Sequence, residues 1–450
     1  NIEGTGTDFK NNNFSFNISK KELAESNKSR NPSKSESDNS LISQVTYPNV
    51  GFGLSSIPSS QSIHFTNATL WTNEDDGIIE NADIIINNGK IIAIGKNLET
   101  PDNFKVIDAT NKHITSGIID EHSHMAASSI NEGGHNSSAE VSIMDVINPD
   151  DINIYRNLGG GVTTVQILHG SANPIGGQSA IIKLKWGSEI DDMFFEGAAP
   201  FIKFALGENV KQSNWGGSRF PQTRMGVEQV FVDHLDRAKE YAEIWTSYNS
   251  LSQRQKRSVK KPRFDEELET LWEILRGDRF ISSHSYVQSE INMLMKVAER
   301  FGFKINTFTH ILEGYKVADK MADHGVGGST FSDWWGYKFE VNDAIPYNAS
   351  IMHNAGVTVA LNSDNSELSR RLNLEAAKAV KYGGVPEEDA WKFVTLNPAK
   401  LLRIDDKVGS LKVGKDADIV LWSGHPMSLY TSTEQTYIDG ALYFDKEKHK

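Results

Sequence analysis

The chain contains no cysteine. Disulfides, thiolate metal ligands and a cysteine nucleophile are therefore excluded, and any metal must be held by nitrogen and oxygen. Without cysteine, redox setting does not separate cytoplasm from export, so localisation stays open. No apolar run approaches the roughly 18 residues that a membrane-spanning helix needs, so no membrane span is expected. Basic charge is also short: 46 Lys and Arg face 59 Asp and Glu, a net charge of −13. Phosphate attraction needs a basic surface, so no nucleic-acid partner is expected. The basic run Arg254–Arg263 reads as a solvated loop between helices. Hydrophobic residues make up 38% and charged residues 23%, the balance of a soluble globular protein.

The 450 residues suit one large barrel with a smaller module. Residues 1–61 are rich in Asn, Ser and Lys and poor in large apolar side chains. They read as a polar extension, flexible or draped over the body. Residues 62–113 carry short strands, with Asn88-Gly89 between two isoleucine runs as a type I′ hairpin signal. Residues 401–450 repeat the style in Asp418–Trp422 and in a hairpin around Asp439-Gly440. One β-module closed by both pieces is expected.

Between them, residues 114–400 alternate short apolar strands with helices. Strands are predicted at 114–120, 162–167, 180–185, 201–206, 280–283, 305–309, 326–331 and 357–362. Helices are predicted at 225–247, 265–276, 287–301, 314–324 and 370–381. This alternation predicts a parallel (β/α)8 barrel, whose chemistry belongs at the carboxyl ends of the strands.

Polar residues able to bind metal stand at those ends. In a strand, side chains at i and i+2 share a face, so His122 and His124 turn toward one point. His284 closes the strand ending at Ser283, His310 the one ending at Thr309, and Asp364 the one ending at Ser363. A surface or core role suffices for any one of these histidines alone; all five residues at strand ends by accident is improbable. His64, His113, His135, His234, His324, His353, His425 and His449 lack that placement. His169 also ends a strand and is a candidate pocket residue without a metal.

Together these motifs resemble the amidohydrolase superfamily, in particular its imidazolonepropionase-like branch, over roughly residues 62–445. The carriers are Gly117–His124, Thr309–Glu313, Leu361–Asp364, Thr395–Ala399 and Gly409–Trp422. Ser116 stands where the family usually has proline. The resemblance implies a distorted barrel carrying a β-sandwich built from both chain ends. It implies His122 and His124 on the more buried of two divalent metals, with His284 and His310 on the second. In one-metal members His284 would bind the ion and His310 would contact substrate. Asp364 matches the aspartate that binds metal and shuttles protons. Lys203 fits the place of a carboxylated lysine bridging two metals, because burial depresses a lysine pKa toward the neutral amine. Its bland alternative is a lysine snorkelling to solvent, as expected for Lys183 and Lys185. Glu208 is the rival bridging ligand.

One or two ions are expected, with zinc the first choice for imidazole and carboxylate ligands, and manganese, iron or nickel as alternatives. Hydroxide generated on the metal would attack a carbon polarised by the metal or by a histidine such as His310. Asp364 would act as general base and then general acid. The expected reaction is hydrolysis of a C–N bond in an amide, cyclic amide or dipeptide-like small molecule. A deaminase of an aminated heterocycle is the alternative, and a non-catalytic barrel homologue a further one. Loops after the strands should shape the pocket: Asn173–Gln178, Trp215–Arg224, Tyr286, Tyr315 and Phe331–Trp335. Arg219 and Arg224 are placed to clamp a substrate carboxylate, and a surface or loop-anchoring role suits both equally. Homo-oligomer formation stays open.

Overall fold

A computed structural model describes residues 2–7, 12–18, 45–212, 217, 219–334 and 336–449. The chain divides into two compact units, Asn1–Val45 and Thr46–Lys450. In the first, β1 (Ile2–Thr7) and β2 (Asn13–Ile18) form an antiparallel hairpin. Among the described residues, the second contains all other strands. The first group is β3 (Ile63–Trp71), β4 (Ile78–Asn87), β5 (Lys90–Gly95), β6 (Lys105–Asp108) and β7 (His113–Ser116). Next come β8 (Ile118–Ser123), β9 (Val162–Ile167), β10 (Ile175–Gln178), β11 (Ala180–Lys183) and β12 (Phe201–Ala205). β13 (Phe280–His284), β14 (Thr307–Thr309), β15 (Gly327–Thr330) and β16 (Val359–Leu361) follow. Last are β17 (Ile419–Trp422), β18 (Thr433–Ile438) and β19 (Ala441–Asp445).

Strands from both ends of the second unit share one eight-stranded sheet, ordered β19-β18-β17-β7-β3-β4-β5 with β6 beside β3. The two hairpins expected from the sequence turn where predicted. Asn88 and Gly89 have φ of 48° and 77°, and Asp439 and Gly440 have φ of 48° and 69°, the positive pair that a type I′ turn requires. Ile63, Phe65, Ile84, Ile419, Leu421 and Tyr437 bury their side chains in a core belonging to this sheet. Of the residues expected in the extension, 46–61 lie on this unit. Phe52 stacks on Tyr155 at 5.1 Å, and the Phe52 carbonyl accepts the Trp186 indole N–H at 2.9 Å.

The parallel strands build the rest. β8 pairs with β9, and β12 through β16 pair in sequence, all parallel. A parallel bridge between Ser123 and Asn365 brings the end of β8 to the segment after β16. Helices such as Arg224–Ser250, Gln288–Phe301 and Leu372–Gly383 connect the strands, and their apolar faces join Val165, Ile202, Ile281, Phe308 and Val359 in the main core. Among the described residues no helix is long and apolar enough to cross a membrane.

Three sequence expectations need correction. The strand expected over 114–120 is two strands in two sheets, parted at Gly117. A Cβ there would stand 2.0 Å from Thr163 Oγ1, so only glycine lets the chain pass from β7 to β8 against β9. The strand expected over 180–185 pairs antiparallel with β9 rather than joining the parallel run. Lys183 does not snorkel: its ammonium lies 2.7 Å from Asp416, 3.1 Å from Asp418 and 2.5 Å from Asp439. Lys185 meets Asp439 at 2.8 Å.

Candidate metal centre

Each candidate ligand sits where a strand hands the chain to a loop. β8 ends in His122 and Ser123, with His124 next; His284 closes β13, His310 follows β14, and Asp364 lies just past β16. Lys203 is in the middle of β12 and completely buried. His310 and Asp364 have φ of 39° and 46°, a left-handed conformation that costs a residue with a Cβ about 1 kcal/mol or more. Strain of this kind at two neighbouring polar residues marks a site whose geometry is set by something other than stability.

Asp364 is the hub. Its Oδ1 lies 2.9 Å from His124 Nε2 and 3.2 Å from His122 Nε2, and its Oδ2 lies 3.9 Å from His310 Nε2. Ligand atoms of His122, His310 and Asp364 all fall within 4.8 Å of one another. Lys203 Nζ is 3.2 Å from His122 Nε2, and His284 Nδ1 is 2.9 Å from His310 Nε2. Burial holds the imidazoles in the form that binds metal. It lowers His310 to about 3 and drives His122 and His284 well below the ordinary histidine value. For Asp364 burial works upward, but His310, His124 and Lys203 outweigh it and hold the carboxyl at about 2. Burial brings the Lys203 amine down to about 8, against the opposing pull of Asp364 and Glu121. Neutral imidazoles around an ionised carboxylate are the donor set that a divalent ion requires. The buried Nδ1 of His310 and Nε2 of His284 have no hydrogen-bond partner among the described residues. The residues fit a metal.

Beyond this cluster the expected residues diverge. Glu208 points elsewhere: its backbone N–H donates to Glu340 at 2.9 Å and its carboxylate faces Lys338 at 3.7 Å. Tyr286 joins the site, with its ring 4.5 Å from that of His284 and 5.1 Å from that of His310. His169 is spent on backbone, accepting from the Glu132 N–H at 2.8 Å and donating to the Gly170 carbonyl at 2.7 Å. Arg219 is no free clamp either, because its guanidinium donates to the carbonyls of Gly133, His135 and Ala172. Arg224 lines a cavity of about 660 Å3 with Glu208 and Glu340, and is already 3.4 Å from Glu290 and 3.6 Å from Glu340. Tyr315 donates to the Asp343 carbonyl at 2.9 Å and holds a loop. Trp215 and Trp335 lie outside the described residues.

Sequence reasoning missed three neighbours of the centre. Tyr337 donates to the Tyr286 hydroxyl at 3.1 Å. The Lys338 ammonium sits 4.4 Å over the Tyr286 ring and bonds Asn209 Oδ1 at 2.8 Å. Glu121, completely buried, accepts from Thr309 Oγ1 at 3.0 Å. The first two follow a loop that gives no strand or helix signal; Glu121 carried one, as a carboxylate inside an apolar strand.

Known proteins share this arrangement of sequence and fold. A profile of the amidohydrolase family matches residues 347–446. The amidohydrolase tasK of Hapsidospora irregularis is 29% identical over 81% of this chain, a match that spans 40% of that protein. An imidazolonepropionase of Thermoplasma volcanium is 29% identical over 36% of this chain and 41% of its own length. The chain therefore matches about two fifths of the length of these two relatives. The crystal structure of an amidohydrolase from Thermotoga maritima is 32% identical, with a TM-score of 0.79 over 85% of this chain and 100% of that one. That likeness makes the second unit a TIM-barrel-like α/β fold.

Proposed function

The chain belongs to the amidohydrolase family, and from that premise we propose that it is a metal-dependent hydrolase of C–N bonds in small amides, cyclic amides or dipeptide-like molecules. The observation that carries the reading is one carboxylate, Asp364, facing His122, His124 and His310 within 4 Å. In this reading those four residues hold a divalent ion, zinc by preference. His284 and a carboxylated Lys203 complete a second position, the amine being brought near neutrality by burial. A bound ion supplies hydroxide at neutral pH and polarises the scissile carbonyl.

The chain's own residues do the rest. Asp364, ionised at neutral pH, accepts the proton of the attacking water and returns it to the leaving nitrogen. Tyr286, Phe331 and Trp334 wall the site, with Phe331 stacked 5.7 Å from the His310 ring and Trp334 4.0 Å from Phe331, so water is excluded from one side of the reacting group. Lys338, over the Tyr286 ring, takes the place of the arginine pair as the cation offered to substrate. The same reading takes the parallel strands as a distorted (β/α)8 barrel with the Ser123–Asn365 bridge as its seam, and the eight-stranded sheet as a β-sandwich.

Metal analysis of the purified protein, followed by amine-release assays on dipeptides, N-acyl amino acids and cyclic amides, tests the proposal. Metal-dependent turnover that disappears in Asp364→Asn is expected. Ammonia release from an aminated heterocycle, with amides untouched, would make it a deaminase. A metal-free protein with an unaltered thermal midpoint after chelation would make it a non-catalytic homologue.

A further inference from the structure

Asp120 and Glu121, immediately before His122, have no part in the reaction described above, yet both are completely buried. Asp120 accepts the backbone N–H of His122 at 3.2 Å and of Ser363 at 3.1 Å, and the hydroxyls of Ser363 and Ser369. These bonds account for it as the tie between β8 and the segment carrying Asp364. Glu121 has no such tie. One of its carboxyl oxygens, Oε1, has no hydrogen-bond partner among the described residues, so burying it is costly. Buried charge of this kind is poor value for stability.

Its geometry suggests what it is for. Thr309 Oγ1 lies 3.0 Å from Glu121 Oε2 and 2.8 Å from His122 Nδ1. A hydroxyl has one proton to donate. With that proton given to Glu121, the Thr309 oxygen must accept from His122, so the ring proton sits on Nδ1. The Nε2 lone pair is then left facing Lys203 Nζ and Asp364 Oδ1, each at 3.2 Å. Were the hydroxyl turned the other way, Nε2 would carry the proton and could not bind a cation.

We infer that Glu121 is a positioning residue that acts through Thr309: it orients the hydroxyl, sets the tautomer of His122, and so presents Nε2 to the metal centre. The relay also joins β8 to β14, whose last residue, Thr309, immediately precedes His310. This inference rests on the metal-centre reading, and two measurements separate the failure of one from the failure of the other.

The first is zinc affinity by chelator competition in Thr309→Val, Thr309→Ser and Glu121→Leu. Valine keeps the shape and loses the hydroxyl, whereas serine keeps the hydroxyl. Thr309→Val and Glu121→Leu are each expected to weaken zinc binding by about 10–100-fold, and Thr309→Ser to hold it within a few-fold. The double variant should be no weaker than the worse single, because both break one chain. Thr309→Val binding zinc as tightly as wild type, or a double loss equal to the product of the singles, overturns the relay. The second is the imidazole 15N spectrum of the zinc-free protein, with His122 assigned by its loss in His122→Asn. Wild type should show the Nδ1–H form and Thr309→Val should lose it; an Nε2–H wild type overturns the relay whatever the zinc result. A wild type that binds no zinc overturns the metal reading, and the nitrogen spectrum still decides the tautomer.

Discussion

Lys183 and Lys203 lie on strands consecutive in the chain, β11 and β12, and neither side chain is more than 6% exposed. Their surroundings are opposite. Burial presses both lysines toward the neutral amine. Asp418, Asp439 and Asp416 outweigh it at Lys183, whose ammonium is held above the ordinary lysine value. Lys203 has no carboxylate within 4 Å among the described residues and is brought down to about 8. Burial alone says nothing of what a lysine does; its partners separate a structural weld from a group able to react.

The carboxylate facing Lys203 gives the largest expected effect. Asp364→Asn should lower kcat by about 10³-fold; a loss under tenfold would remove its proton-shuttle role. Next comes the weld. Lys183→Met leaves the buried Asp418 without its cation and should cost about 3–5 kcal/mol of stability in urea unfolding, while the folded fraction keeps its turnover. Lys203→Met should do the reverse. Zinc affinity falls by at least about 10-fold, yet the zinc-free protein is as stable as wild type or more so, because a buried amine with no carboxylate beside it is gone. If both substitutions destabilise alike, the contrast between the lysines fails.

The smallest effect is a pH dependence at the weld. Burial acts to raise the Asp439 carboxyl, but Lys183 and Lys185 outweigh it and hold it below its ordinary value of 3.8. A carboxyl depressed on folding contributes stability above its unfolded pKa and loses it as pH falls through the folded one. Asp439→Asn should therefore be less stable than wild type at neutral pH and converge with it in acid, in urea midpoints followed downward from about pH 5. A constant gap at every pH would assign Asp439 no electrostatic role.

Legibility in the sequence follows the same division. His122, His124, His284, His310 and Asp364 are legible because each polar residue closes an apolar run, and a parallel fold puts such ends together. Lys203 is legible by its place within Pro200–Leu206. Lys183 is misread because its partners Asp416, Asp418 and Asp439 lie more than 230 residues away, beyond any local pattern. Arg219 stays open between clamp and loop anchor in the sequence, because the partners that decide for the anchor are backbone carbonyls, which every residue has. The break at Gly117 is hidden in a continuous apolar run, since Thr163, not any local signal, demands it. Glu121 was visible, but its use depends on Thr309 across the fold.

Whether these strand ends converge to hold a metal is decided by anomalous diffraction at the zinc absorption edge from crystals of the zinc-loaded protein. An anomalous peak bonded to His122, His124, His310 and Asp364 is expected, with Lys203 facing it. A zinc-loaded crystal with no peak there, or with peaks only at surface residues, would contradict the metal centre.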